Sequence, residues 1–401
     1  VKLGKVLLGI GAGIGAGYLT VRAIQAAREW TVPSPPREKD ARAYAQIRRE
    51  LDVVETVRGV AGLAAFAYGS LGESVDRATR PVPPWLRPAV YFTSVSLASA
   101  ILELPAAFVQ DYALERRFGL SDQSREGWLA DYAKSAAIEA VVMAFVATLF
   151  GAAVRRAPKT WPLLASLGTF PLFVIGNLIV PLYVMPLFNS FEPVTGSLEK
   201  RLRKLAQRYG VGDAEILRMD MSRQTRKANA FVTGIGRTHR IVLGDTLIDA
   251  FREDEIEFVV AHELGHYVSK DTWRLIGMGE LLAIVLFVVA NATAHDRDRE
   301  GFRERPLFIA RLYATMLFAT QALRPLLLAF SRSREWAADR FARGATGDAP
   351  SGAAAFRRLR DQNLADSDPP AWYELFFSSH PSLKKRIEAL ENTNGAVSQS
   401  S

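Results

Sequence analysis

The chain has 401 residues, with 50 Lys and Arg against 42 Asp and Glu, a formal net charge of +8 and no cysteine. The lack of cysteine excludes disulfides, thiolate metal sites and cysteine nucleophiles, so any metal must be held by His and carboxylates. A mean hydropathy of +0.05 averages long apolar runs with densely charged stretches, a membrane pattern, and the basic residues are scattered through the intervening loops, which argues against nucleic acid as a partner.

Seven apolar stretches can cross a hydrocarbon core of about 30 Å, which takes about 20 helical residues. They lie near residues 6–23, 57–71, 88–108, 136–154, 163–187, 275–294 and 307–330. The first also has signal-peptide features: Lys2 and Lys5 precede a modest apolar core, and small residues recur at Ala23, Ala26 and Ala27. Its glycine repeat GIGAGIGAG suits a retained, closely packed helix instead. The second is short and interrupted by glycine. The expected fold class is therefore mainly α, a polytopic membrane protein. Its expected division is a five-span region over 1–188, a folded polar segment over 189–273, two further spans within 274–330, a second polar part over 331–391 and a disordered tail over 392–401.

The polar segment opens with SLEKRLRKLAQRYGV, whose Leu198, Leu202 and Leu205 recur at helical spacing and which ends at Gly210. Three strand-like runs follow, AEILRMDMS, ANAFVTGIG and HRIVLGDTLI. Gly234, Gly236, Arg237 and Thr238 separate the last two, as in a hairpin. A helix opens after Asp249, carries Glu253, Asp254 and Glu255 where its dipole favours acids, and runs through VVAHELGHYVSKD, in position to continue into the sixth span. Beyond the seventh span come a second helical pattern, SRSREWAADRFA, and a short amphipathic helix after SSHPS.

His262, Glu263 and His266 form the pattern H-E-x-x-H. On a helix the two histidines, four apart, share a face and can grip one Zn²⁺, while Glu263 points at the water beside it. A catalytic zinc wants a third protein ligand. Glu335 suits the role, with Asp339 one turn on to fix the tautomer of a ligating histidine; the alternative is a solvated acidic pair balanced by Arg334 and Arg340. The chain crosses the membrane twice between His266 and Glu335, an even count that returns both to one side. Loops 22–49 and 115–134, rich in Arg and Lys, fall on that side and assign it to the cytoplasm, although Arg297, Arg299, Arg303 and Arg305 fall opposite.

Six stretches in order, ERRFGLSDQSREGWLADYAKS, PLFNSFEP, ANAFVTGIGRTHRIVLGDTLI, VVAHELGHYVSKD, SRSREWAADRFA and SSHPSLKKRIEAL, resemble the integral-membrane, zinc-dependent (type I) CAAX prenyl proteases of the M48 metallopeptidases. The resemblance implies a gluzincin-type protease domain of helices and a small sheet, with one Zn²⁺ per chain held by His262, His266 and Glu335. It also implies Asp339 behind a ligand, His380 at the oxyanion, and Asn229 and Ala230 on an edge strand that pairs with an extended substrate. The spans would enclose a chamber within the bilayer. Glu263 would take the proton of the attacking water and pass it to the leaving amine, at a metal that lowers the pKa of its water to roughly 7.

The expected partners are the lipid bilayer and a peptide or protein substrate. In eukaryotic members of the family the substrate is prenylated. A chain rich in Ala, Arg and Gly and free of cysteine points to a GC-rich bacterium and its inner membrane, where prenylated substrates are not expected. General membrane-protein quality control and a non-catalytic membrane scaffold are the alternatives.

Overall fold

The computed structural model describes residues 40–234, 238–294 and 305–397, so the first expected span and the Gly236–Arg237 part of the hairpin turn lie outside the described residues. Helix α1, Ala41–Tyr68, starts at Asp40, whose carboxylate accepts from the backbone N–H groups of Arg42 and Ala43 at 2.9 and 3.1 Å. It stops at Gly69, and α2 follows over Ser70–Ala78. The expected second span, near residues 57–71, falls across this break. Gly69 interrupts its helix, Arg58 lies within the stretch with Asp52 and Glu55 just ahead of it, and neither α1 nor α2 is among the helices apolar enough by composition to cross a bilayer.

Five helices among the described residues are long and apolar enough to cross a bilayer, where seven spans were expected over the whole chain. Helix α3, Arg87–Ala107, runs through a π-helical turn at Phe108–Ala113 to Arg117. Then come α4, Arg125–Arg156, and α5, Trp161–Ile179. After the polar helices α6, Gly196–Arg208, and α7, Glu253–Val268, the last two candidates are α8, Asp271–Ala294, and α9, Pro306–Thr346. Their apolar side chains face outward: Ile101, Leu102 and Val141 are 72%, 75% and 70% exposed. A helix with that much apolar surface uncovered needs an apolar solvent, as a membrane provides.

Helices α10, Ala349–Gln362, α11, Ala371–Phe377, and α12, Leu383–Val397, complete the chain. Helix α12 runs on to Val397, into the stretch expected to be a disordered tail.

The polar segment holds a four-stranded sheet in the order β1-β2-β4-β3. Strands β2, Glu215–Met219, β3, Ala230–Thr233, and β4, Arg240–Gly244, correspond to the three strand-like runs. Strand β1, Phe191–Pro193, was not anticipated. It is three residues long, and its Pro193 is tolerated because the strand is an edge. Strand β4 pairs parallel to β2 and antiparallel to β3, so that among the described residues the far side of β3 has no strand partner. The core of this region is built from Leu202, Leu205, Ile241, Leu243, Phe258 and Leu264, all fully buried, so that sheet, α6 and α7 bury their apolar faces on one another.

Two connections position the site. Helices α7 and α8 are separate, because Lys270 adopts a left-handed conformation at φ 55° and turns the chain before Asp271. Helix α9 is one continuous element of 41 residues, about 60 Å at 1.5 Å per residue. That is about twice a hydrocarbon core, so the same helix that spans also carries Glu335 and Asp339 beyond the bilayer to the polar region.

Candidate active site

Helices α7 and α9 meet at Gly265. A Cβ there would come within 3.1 Å of both the Ala338 Cα and the Phe341 ring, so glycine in the middle of the H-E-x-x-H run is what lets the two helices approach. The face of α7 bearing His262 and His266 then lies against the face of α9 bearing Glu335 and Asp339. All four side chains are buried or half-buried.

The geometry around Glu335 is that of a coordination site. His262 Nε2 lies 3.3 Å from Glu335 Oε2, and His266 Nε2 lies 3.3 Å from Glu335 Oε1. Ligand atoms held tetrahedrally at about 2.0 to 2.1 Å from a zinc ion would lie about 3.3 Å apart. Glu335 Oε2 is buried and makes no hydrogen bond, with only Arg386 Nη1 at 3.5 Å beside it as a counter-charge, as expected of lone pairs aimed at a point shared with the histidines. Among the described residues, His262, His266 and Glu335 form a group able to hold a metal ion. The donor set of two imidazoles and a carboxylate suits zinc.

Each histidine is oriented from behind. His262 Nδ1 is 2.9 Å from Asp339 Oδ1 and His266 Nδ1 is 3.0 Å from Asp271 Oδ2, which leaves both Nε2 atoms facing Glu335. Asp339 also accepts two hydrogen bonds from Arg386, at 2.8 Å from Nε and 2.6 Å from Nη2. Asp271 is in turn paired with Arg334 at 3.0 Å and Arg274 at 3.3 Å. Asp271 and Arg386 were not anticipated from sequence. Asp271 sits five residues past His266, a signal that becomes visible only once the helix is known to break at Lys270. Arg386 is one of many arginines and carries no local signal.

Burial disfavours charge on His262, yet the Asp339 and Glu335 carboxylates beside it prevail and its pKa is pushed up to about 9 in the metal-free protein. His266 moves the same way, burial being outweighed chiefly by Glu335. A metal needs the neutral rings, so uptake below about pH 9 must release protons. Metal affinity is therefore expected to rise with pH and level off near pH 9, changing about tenfold per pH unit for each proton displaced. Competition against a chelator from about pH 6 to about pH 9 checks this, and a flat profile would contradict it.

Glu263 lies between two hollows. One, of about 420 Å³, is lined by Asn229, Ala230, His262, His380 and Arg386, and the other, of about 430 Å³, by Val232, His239, His266, Tyr267 and Trp273; Glu263 borders both. Burial raises the pKa of its carboxyl above the usual carboxylate range, against the pull of His262 and His266, which brings it nearer the working range of a general base. Strand β3 runs along the same groove from Ala230, with Asn229 exposed just ahead of it and Asn363 fixing the preceding Ala228 through both its backbone groups. His380 stands at the mouth, its Nε2 3.3 Å from Glu335 Oε1 and its Nδ1 2.8 Å from Ser379 Oγ. Desolvation in the groove lowers its pKa, favouring a neutral ring that can donate an N–H. All eight residues singled out in the sequence therefore meet in one place. The arrangement can hold a metal, accept a proton from water beside it, and present an open strand edge to an extended chain.

Comparison with known proteins agrees with this chemistry. Residues 193–394 match the family model described as peptidase family M48, and residues 34–190 match that described as the CAAX prenyl protease N-terminal region, five membrane helices. The chain is 28% identical to the uncharacterized metalloprotease YhfN of Bacillus subtilis, over 80% of this chain and 79% of that one. It is 26% identical to CAAX prenyl protease 1 of Saccharomyces cerevisiae, over 74% and 70%. The crystal structure of Ste24p from S. mikatae superposes with a TM-score of 0.79 at 21% identity, covering 96% of this chain and 99% of that chain.

Proposed function

Since the chain belongs to peptidase family M48 and is an integral-membrane metalloprotease of the CAAX prenyl protease type, we propose that it hydrolyses peptide bonds with one zinc ion held by His262, His266 and Glu335. The observation that carries this reading is the 3.3 Å spacing of the two histidine nitrogens from the Glu335 oxygens, one of them buried without a hydrogen bond. Bound there, zinc would supply Lewis acidity toward the scissile carbonyl and the attacking water.

The protein's own groups do the rest. Asn229 and the Ala230 end of β3 pair with the extended substrate and hold its scissile bond over Glu263. Glu263 takes a proton from the attacking water and returns it to the leaving amine. His380 donates to the oxyanion as charge develops. Asp339 and Asp271 keep His262 and His266 in the tautomers that ligation needs. Arg116, Arg117, Arg125 and Lys134 in the 115–134 segment support a cytoplasmic site, and the composition supports a bacterial inner membrane.

Cleavage of a farnesylated C-terminal peptide and its unprenylated twin by the detergent-purified protein tests the reading. Cleavage of both at similar kcat/KM is expected, because backbone pairing along β3 tolerates varied side chains and a bacterial membrane supplies few prenylated proteins. Exclusive cleavage of the farnesylated peptide would replace this reading with strict C-terminal processing. Cleavage of neither by zinc-loaded protein would overturn it.

A further inference from the structure

A third hollow lies among the membrane helices. It measures about 820 Å³ and is walled by α1, α3 with its π-helical turn, α4 and α9. The wall is polar: Arg58 is paired with Glu103, and Gln110, Glu139, Gln321 and Arg324 also face the space. Such groups persist among membrane helices only against one another or against water, so this is a wet space suited to a peptide backbone.

It meets the catalytic groove at Phe377, which lines both. The ring of Phe377 is held from several directions. It stacks on Tyr373 with centroids 5.1 Å apart and planes within 10°, and the Arg324 guanidinium lies 4.8 Å from its centroid. Tyr373 is anchored in turn by a hydrogen bond from its hydroxyl to Asp52. Arg332 fixes the backbone by donating to the carbonyls of Glu374 and Ser378 at 2.7 and 2.8 Å. His380 is three residues further on. A substrate pairing with the open edge of β3 does so more stably in the antiparallel sense, which sends the part beyond the scissile bond toward Asn229 and the hollow that Phe377 also lines.

We propose that Phe377 is a fixed sill over which the C-terminal part of a long substrate passes from the catalytic groove into the intramembrane hollow, and that it sets how well long extensions are accepted relative to short ones. The proposal rests on the reading of β3 as the substrate edge. An extended chain advances about 3.3 Å per residue, so a short extension ends within the groove whereas one of about twelve residues must cross the sill.

The absence of cysteine provides a readout that needs no turnover. Gly59 lines the hollow, and a Cβ there would meet no atom within 4 Å, so Gly59→Cys introduces a single thiol. In a Glu263→Gln background, a water-soluble maleimide should label it. A peptide extending about twelve residues past the scissile position, at about ten times its Kd, should slow labelling about tenfold, and one ending after about three residues should not. In the active protein, Phe377→Trp should lower the long-to-short ratio of kcat/KM by about tenfold, the scale of a misfit side chain in a packed channel, and Phe377→Ala should raise it. Labelling unaffected by the long peptide, a thiol that water-borne reagent never reaches, or an unchanged ratio in both Phe377 variants would overturn the proposal. Because labelling needs no catalysis, its failure is distinguishable from failure of the zinc-protease reading.

Discussion

Glu263→Gln is expected to lower kcat/KM by about 10² to 10⁴, the span that a positioned general acid–base group contributes, while leaving the metal in place. The amide matches the carboxylate in size, so the wall between the two hollows keeps its shape, but it cannot accept a proton from water. Glu263 is not among the three residues whose donor atoms converge, which is why metal content should not change. Initial rates on a peptide substrate, paired with metal analysis of the same samples, check both halves. A variant retaining a tenth or more of the activity would remove Glu263 from the chemistry, and one that had lost its metal would reassign it as a ligand.

Glu335→Gln should lose the metal itself. Its two oxygens are the atoms that face His262, His266 and His380, and replacing the anion removes both charge and a donor. Since removal of a hydrogen-bond partner behind a ligand already costs about 10- to 100-fold in affinity, loss of the ligand should exceed that, and activity should fall with it unless metal is in excess. The fold should survive, because Arg386 keeps its two bonds to Asp339. Asp339→Ala makes the contrast. It takes both hydrogen bonds from the Arg386 guanidinium, only 7% exposed, and leaves it Glu335 at 3.5 Å as the remaining carboxylate; breaking a buried ion pair costs up to about 3 to 5 kcal/mol. Chelator competition and thermal unfolding in detergent should therefore separate the two: affinity lost with stability kept at Glu335, stability lost at Asp339. Equal stability losses in both would contradict the division of roles.

The parts of this site that were legible in the sequence are those with local periodicity. His262 and His266 share a face because they are four apart, and Glu335 and Asp339 repeat the same spacing on a second helix, so each pair announced its direction without any tertiary knowledge. The even number of crossings between them made a common site possible before any contact was known. The residues that escaped are defined by tertiary partners. Asp271 becomes the partner of His266 only because Lys270 turns the chain, and Arg386 reaches Asp339 from a helix 47 residues further on. Strand β1 has too few residues to show alternation, and it exists because β2 offers it an edge. The expected second span is the least apolar of the stretches for a different reason: Gly69 breaks its helix, and Asp52, Glu55 and Arg58 of α1 face the polar hollow among the membrane helices.

The central claim is that one zinc ion, held by His262, His266 and Glu335, is what the peptidase activity depends on. Stripping the purified protein of metal and titrating zinc back while following peptide hydrolysis tests it most directly. The account predicts no activity in the stripped protein and a linear recovery that ends at one zinc per chain. Hydrolysis that persists without metal, or recovery that ends elsewhere than at one equivalent, would contradict it.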